Sequence, residues 1–105
     1  MAAVYHKGEN IVLCSSVARP IYGELDLDEY DVKVYITDFY GKRVLSLPED
    51  DPEMLKVEVD TDSVYLFIPG QITDGWRGIY FCAVELWYNG QKLVSNELGN
   101  LEIIE

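Results

Sequence analysis

The sequence predicts a single all-β domain, an antiparallel β-sandwich of about eight strands. Short segments that alternate apolar and polar residues recur roughly every ten residues, with turn residues between them and no convincing helix. The length of 105 residues suits one domain with its own core. The pair Asn89-Gly90 between two apolar runs is a strong hairpin signal, since a type I′ turn needs positive φ at both central residues.

The chain begins with a polar segment over residues 1–9, which we expect to be a mobile lead-in that ends in a turn. Residues 11–17 are predicted as the first strand, with Ile11 and Leu13 on the same face. Pro20 ends this strand, because proline cannot donate a hydrogen bond to a sheet.

An acidic stretch follows over residues 21–31. A solvated loop is the simpler interpretation. The alternative is a Ca²⁺ site, since Asp26, Asp28 and Asp31 offer carboxylate oxygens at short spacing. The stretch lacks the Asp-x-Asp-x-Asp-Gly pattern, so the solvated loop is favoured and we predict no bound metal.

Alternation of apolar and polar residues predicts the strands in the middle and at the end of the chain. A hairpin over residues 31–38 and 43–47 turns at Gly41, and a second pair covers residues 55–60 and 64–68. A loop over residues 71–78, with one turn of helix, then leads to a long hairpin over residues 78–97, a bend at 98–100 and a short strand at 101–104.

The long strand before Asn89 is apolar on both faces. The predicted core face of this strand contains Tyr80, Cys82, Val84, Leu86 and Tyr88. The opposite face contains Phe81, Ala83, Glu85 and Trp87, which is too apolar for free solvation. Either another element of the chain covers this face, or it is an interface. The predicted interface residues are Phe81 and Trp87, with Tyr65 and Phe67 extending the same patch.

Charge limits the classes of partner. Eight basic and nineteen acidic residues give a net charge of −11, which disfavours nucleic acid and anionic membranes as partners. The N-terminus shows no secretion signal, and no apolar run approaches membrane-spanning length.

Catalytic residues and cofactors are not expected. The one histidine, His6, makes a Ser-His-Asp or Cys-His arrangement improbable, and no Cys-x-x-Cys pair suggests a metal. Carboxylates are plentiful, but a small sandwich has little room for a deep cleft. We therefore predict that the protein is not an enzyme.

Two cysteines, Cys14 and Cys82, leave two alternatives. Their separation is compatible with a bridge between two sheets, and it is also compatible with two buried free thiols that behave as small apolar residues. Without a secretion signal, the free thiols are favoured.

Two resemblances concern the segment from Asp74-Gly75 to Cys82. It resembles the tyrosine-corner strand of immunoglobulin-like domains, and the resemblance implies that Tyr80 is the corner tyrosine and that Cys14 and Cys82 stand where that family has its disulfide. The sequence departs from the family because no tryptophan follows Cys14 at the position of the usual core tryptophan.

The strand order, together with Gly78-x-Tyr80 and the Asn-Gly hairpin, is similar to the immunoglobulin-like N-terminal domains of phage upper baseplate and tail-fibre proteins. That resemblance implies a virion component, made in the host cytoplasm, that mediates protein–protein assembly with other virion subunits or with itself. The alternative is a carbohydrate- or protein-binding immunoglobulin-like domain of a bacterial surface protein.

Overall fold

The protein is described by a computed structural model over residues 3–19 and 25–105. The strands within these ranges are β1 (Ala3–His6), β2 (Ile11–Ser16), β3 (Asp31–Asp38), β4 (Arg43–Leu47), β5 (Leu55–Glu58), β6 (Ser63–Ile68), β7 (Gly78–Tyr88) and β8 (Gln91–Ile104). Single turns of 3₁₀ helix lie at Leu27–Glu29 and Pro52–Met54, and one turn of α-helix, α1, spans Gly70–Thr73. No helix in these two ranges is long and apolar enough to cross a membrane.

The strands form two sheets. One has five strands in the order β1-β8-β7-β3-β4, and the other has three in the order β2-β6-β5. Neighbouring strands are antiparallel, except that β1 runs parallel to the end of β8. The predicted all-β class with two sheets is therefore confirmed.

The core lies between the sheets and follows the alternation of the strands. Along β7, burial falls on every second residue, so that Tyr80, Cys82, Val84 and Leu86 are buried as predicted. Tyr88, predicted on the same core face, is exposed instead, because it stands at the end of the strand beside the turn. The largest fully buried side chains come from both sheets and from the 3₁₀ turn at Leu27–Glu29: Ile11, Leu27, Ile36, Leu47, Leu66, Ile68, Leu86, Leu101 and Ile103.

Two parts of the chain differ from the predicted strands. The expected lead-in contains β1, whose residues pair with residues 101–104 of β8, so the first strand begins before Ile11. The expected bend at residues 98–100 is a β-bulge inside one continuous strand. Cys82 opposes Gly99 while Ala83 opposes Glu97, which leaves Leu98 as the extra residue.

A compact corner joins the two sheets at α1. The Gly70 N–H donates to Asn10 Oδ1 at 2.7 Å, and the Thr73 hydroxyl donates to the Glu9 carbonyl at 2.8 Å. A Cβ on Gly70 would stand 2.0 Å from the Gly8 carbonyl oxygen, so only glycine permits this approach. The connection between β1 and β2 is thereby fixed against the segment that leads into β7.

A second set of contacts orders the start of β7. The Trp76 ring stacks on the Tyr80 ring with centroids 4.7 Å apart. The Arg77 backbone N–H donates to the Tyr80 hydroxyl oxygen at 2.9 Å. The tyrosine therefore ties its own strand to the loop that precedes it.

Candidate functional site

The five-strand face, by which we mean the outward side of the five-stranded sheet, contains a shallow hollow. Tyr35 stands opposite Ala83 and Thr37 opposite Phe81 in the β3–β7 register. The hollow forms where Ala83 has only a methyl group and Gly99 on β8 has no side chain, and its volume is about 260 Å³. Aromatic rings from Tyr35 and Phe81 line it, together with polar side chains from four strands.

Trp87, a predicted interface residue, lies half-buried on the five-strand face within a set of charged neighbours. The Lys33 ammonium lies 4.5 Å from the centroid of its ring, and its Nε1 donates to Glu85 Oε1 at 3.0 Å. Lys92 Nζ is 3.6 Å from the other oxygen of Glu85. These contacts restrain the Trp87 ring within a network of charged side chains.

Within residues 3–19 and 25–105, the most exposed aromatic residues lie in the predicted turn at Gly41. Phe39 and Tyr40, between β3 and β4, are 66% and 91% exposed, and their rings meet edge to face with centroids 5.9 Å apart. Asp38 Oδ1 accepts from the backbone N–H groups of Tyr40 and Lys42, each at 2.9 Å, which fixes the turn. The signal that could have revealed them is two adjacent aromatic residues directly before a turn glycine.

The turn continues the apolar surface of β7. Phe39 and Tyr40 border a hollow of about 390 Å³ that is also lined by Ile79 and Arg77. Ile79 and Phe81 share the outward face of β7, and Phe81 is 39% exposed. We call Phe39, Tyr40, Ile79 and Phe81 the aromatic end of the five-strand face.

Tyr65 and Phe67 do not extend this surface, and that prediction is wrong. Both lie on β6, in the three-stranded sheet, where they are 38% and 45% exposed. They oppose Cys14 and Val12 of β2, and Val12 is 60% exposed. Because the outward sides of two packed sheets face opposite directions, the predicted interface residues divide into two surfaces. We call this second one the three-strand face.

The two cysteines differ in their exposure to solvent. Cys82 is buried in the core, whereas Cys14 is exposed on the three-strand face, and both are free thiols. A bridge between them would require Cys14 to point inward, so the disulfide implied by the resemblance is not formed. The expectation that both thiols are buried is also wrong for Cys14. A hydrogen bond with the Cys14 thiol raises the pKa of the Tyr65 hydroxyl.

Residues 25–31, the described part of the acidic segment, contain a 3₁₀ turn that is closed by hydrogen bonds. The Asp26 backbone N–H donates to Glu29 Oε2 at 2.6 Å, and the Glu29 N–H donates to the Asp26 carbonyl at 3.0 Å, which closes the 3₁₀ turn. No three His, Cys, Asp or Glu side chains gather as a metal site in the part of the chain that the structure describes. Residues 21–24 of the predicted loop, and Pro20 before it, lie outside the described residues.

His6, the histidine considered for catalysis, lies exposed at the end of β1. Its Nδ1 is 3.2 Å from the carbonyl oxygen of Glu105, and its backbone N–H donates to Glu9 Oε1 at 2.9 Å. The first contact joins the imidazole on β1 to the residue that follows β8. The second orders the turn after β1.

Comparison of the sequence with protein-family models finds no match, and comparison with curated proteins finds no significant match. The two exposed faces and their chemistry are therefore the indications of function in this chain.

Proposed function

We propose that the protein is a non-enzymatic, immunoglobulin-like interaction module that binds another protein through the aromatic end of its five-strand face. The observation that carries this proposal is the exposure of Phe39 and Tyr40 beside Ile79, with Phe81 exposed two residues further along the same face of β7. Exposed aromatic clusters of this kind mark binding surfaces, since aromatic side chains supply most of the energy at protein interfaces.

The strand order supports the immunoglobulin-like assignment. In that fold one sheet contains strands B, E and D, and the other contains G, F and C, to which variable-type domains add C′. The orders β2-β6-β5 and β8-β7-β3-β4 follow the same sequence of positions. Tyr80 stands two residues before Cys82, and its hydroxyl oxygen accepts a hydrogen bond from the Arg77 backbone N–H. This arrangement resembles a tyrosine corner.

The surroundings of the aromatic end favour a protein partner. Arg43 packs 3.7 Å from the centroid of the Tyr35 ring, and the Lys33, Trp87, Glu85 network lies further along the same sheet. An apolar patch bordered by charged residues that already have partners resembles the centre and rim of a protein interface. The resemblance to phage baseplate and tail-fibre domains makes other virion subunits the partners in this proposal.

The alternative is carbohydrate binding by a bacterial surface domain. The observation that favours it is the hollow at Ala83, where the rings of Tyr35 and Phe81 stand beside the carboxylates of Glu85 and Glu97. Aromatic walls with a few polar groups are a common form of small-ligand site. A glycan array probed with the wild type and with Ala83→Phe, which fills the hollow, separates this alternative from the first.

The test of the main proposal compares two double variants that remove similar aromatic area from opposite sides of the molecule. Tyr40→Ser with Phe81→Ser alters the aromatic end, and Tyr65→Ser with Phe67→Ser alters the three-strand face. Each immobilised protein is exposed to extract from its native source, and retained proteins are identified and quantified by mass spectrometry. We expect the wild type and the three-strand variant to retain the same partner in a fixed stoichiometric ratio.

Loss of both interface aromatics should weaken that partner's binding by about a thousandfold, since truncating central interface aromatics costs about 2 kcal/mol each. The proposal fails if the aromatic-end variant retains the partner as well as the wild type does. It also fails if no protein is retained in a fixed ratio by the wild type.

A further inference from the structure

We propose that a groove between the start of β3 and β5 binds a Lys- and Arg-rich segment of another protein, through an apolar floor and through carboxylates at its rim. The groove has a volume of about 340 Å³. The aromatic end lies beyond the other end of β3, whose eight residues span roughly 25 Å. The groove is therefore a separate surface, and its proposed role does not depend on the function assigned to the aromatic end.

The floor of the groove is apolar and comes from both sheets. Val32 of β3 lines it together with Leu55 and Val57 of β5. Leu55 and Val57 pack against the core but are only half-buried, so part of each side chain stays open to the groove. An apolar side chain of a partner would cover area that the fold itself leaves in contact with water.

Two acidic segments border this floor. Residues 25–31 contain four acidic residues, residues 48–55 contain four more, and neither segment contains Lys or Arg. Asp28 and Asp31 from the first segment and Glu49 from the second line the groove. Eight of the nineteen acidic residues of the chain therefore lie in two short segments that meet at this groove, which concentrates negative charge there.

Hydrogen bonds hold the backbone of both segments and leave the carboxylates of the groove free. The 3₁₀ turn of the first segment is closed by Glu29, as described above. In the second segment, Asp50 Oδ2 accepts from the Ser46 backbone N–H at 2.7 Å, and Asp51 Oδ1 accepts from the Glu53 N–H at 2.9 Å. Within residues 3–19 and 25–105, no hydrogen bond or ion pair engages the three carboxylates that line the groove. A fixed rim with free charges is prearranged for a cationic ligand.

Lys33 also lines the groove, but its ammonium is directed to the five-strand face, 4.5 Å from the centroid of the Trp87 ring. In the described part of the chain no ion pair joins it to a carboxylate of the rim. The rim therefore keeps its negative charge, and charge complementarity favours a cationic partner.

The apolar floor decides which kind of cation fits. The acidic side chains of the described residues do not gather as a metal site, so the rim suits separate cations spaced along a chain. A protein segment with Leu, Ile or Val between Lys or Arg residues offers these cations together with an apolar side chain for the floor. A metal ion or a polyamine offers charge without such a side chain.

The test uses a library of short labelled peptides in which one apolar residue is flanked on both sides by Lys or Arg, and fluorescence anisotropy measures their binding. Two matched libraries replace the apolar residue by Ser or the basic residues by Glu. We expect the first library to contain peptides with dissociation constants below about 1 mM in about 0.05 M salt. Their matched peptides should bind about tenfold more weakly, and about 0.3 M salt should weaken the parents severalfold by screening the ion pairs.

Asp28→Asn with Glu49→Gln removes one rim charge from each acidic segment. It should weaken binding of the best peptide about fivefold or more and reduce its salt dependence, since two charge pairs are lost. The matched control is Asp74→Asn with Glu97→Gln, the same two changes at exposed positions outside the groove. Long-range attraction falls equally in both variants, so the control should bind within about twofold of the wild type. Circular dichroism checks that both variants keep the wild-type fold.

NMR of methyl-labelled protein locates the bound peptide. The shift changes should centre on the methyl groups of Leu55 and Val57 and leave Ile79, at the aromatic end, unchanged. A matched effect of the two double variants would mean that net charge alone attracts the peptide, and this result overturns the proposal.

Three further results overturn it: no peptide of the first library binds below about 1 mM, the Ser-substituted peptides or spermine bind as tightly as the parent peptides, or the shift changes centre on Ile79. None of these results depends on the partner that the aromatic end retains from an extract, so this proposal and the proposed function can fail separately.

Discussion

At the scale of single residues, the two cysteines show how orientation decides chemistry. Cys82 points into the core, and burial raises the pKa of its thiol to about 12. Cys14, on the outward side of β2, is open to solvent. Only the thiolate is an effective nucleophile, so the two thiols should differ strongly in reactivity at ordinary pH.

We therefore expect a maleimide at pH 8 to label one thiol per native chain, and the second only after unfolding. Burial and the raised pKa should slow labelling of Cys82 at least about a hundredfold relative to Cys14, because each pKa unit removes about tenfold of its thiolate. Mass spectrometry over time measures both rates. In Cys14→Ser the fast phase should vanish, and two equally fast thiols in the wild type would show that the core does not protect Cys82.

Residue orientation was predictable from the sequence where alternation is strict. Burial of Leu66 and exposure of Phe67, for example, follow from their positions in one alternating strand. The surface to which each exposed residue belongs was not predictable, because it depends on which strands share a sheet. For this reason Tyr65 and Phe67 were wrongly predicted to share a surface with Phe81, although they lie on the opposite side of the molecule.

At the scale of elements, local signals predicted β3 and β4 with the bounds that the structure has, Asp31–Asp38 and Arg43–Leu47. Clean alternation on both sides of a glycine turn specifies a hairpin without long-range information. β1 was missed because its pairing partner is the end of the chain, and a four-residue strand has too little pattern of its own. Parallel pairing over such a separation leaves no local trace.

The β-bulge in β8 was wrongly predicted as a bend between two strands. Gly99 suggested a break, but its φ of +127° places an extra residue within a continuous strand. That conformation is strained for residues with a Cβ, although open space surrounds the position. Glycine is therefore favoured at position 99 by the backbone conformation and not by close packing.

Replacing this glycine should weaken the fold through the backbone alone. We expect Gly99→Ala to lower the free energy of unfolding by about 1–3 kcal/mol. Gly75→Ala is the control, because Gly75 has no positive φ and a Cβ there would have only an ordinary contact with the Ile72 carbonyl at 3.9 Å, so its effect should stay within about 0.5 kcal/mol. Urea denaturation measures both values. Equal effects would mean that the bulge relaxes without cost.

At the scale of the whole molecule, the net charge acts on the stability of the fold. Ion pairs among the described residues are Arg19–Asp62, Lys56–Glu58, Arg77–Glu105 and Lys92–Glu85. Most of these side chains are substantially exposed, and such pairs contribute little. A net charge of −11 leaves many carboxylates without a compensating cation, so mutual repulsion should oppose the compact state.

We expect the midpoint of thermal unfolding at pH 7 to rise with salt, by about 4–8 °C for each kcal/mol of repulsion that screening removes between about 0.02 M and 0.3 M. Calorimetry at two protein concentrations separates this effect from self-association, because screening within one molecule does not depend on protein concentration whereas association does. Near pH 4.3, where the net charge approaches zero, the rise should disappear. A midpoint that falls with salt at pH 7 would mean that the ion pairs outweigh the repulsion.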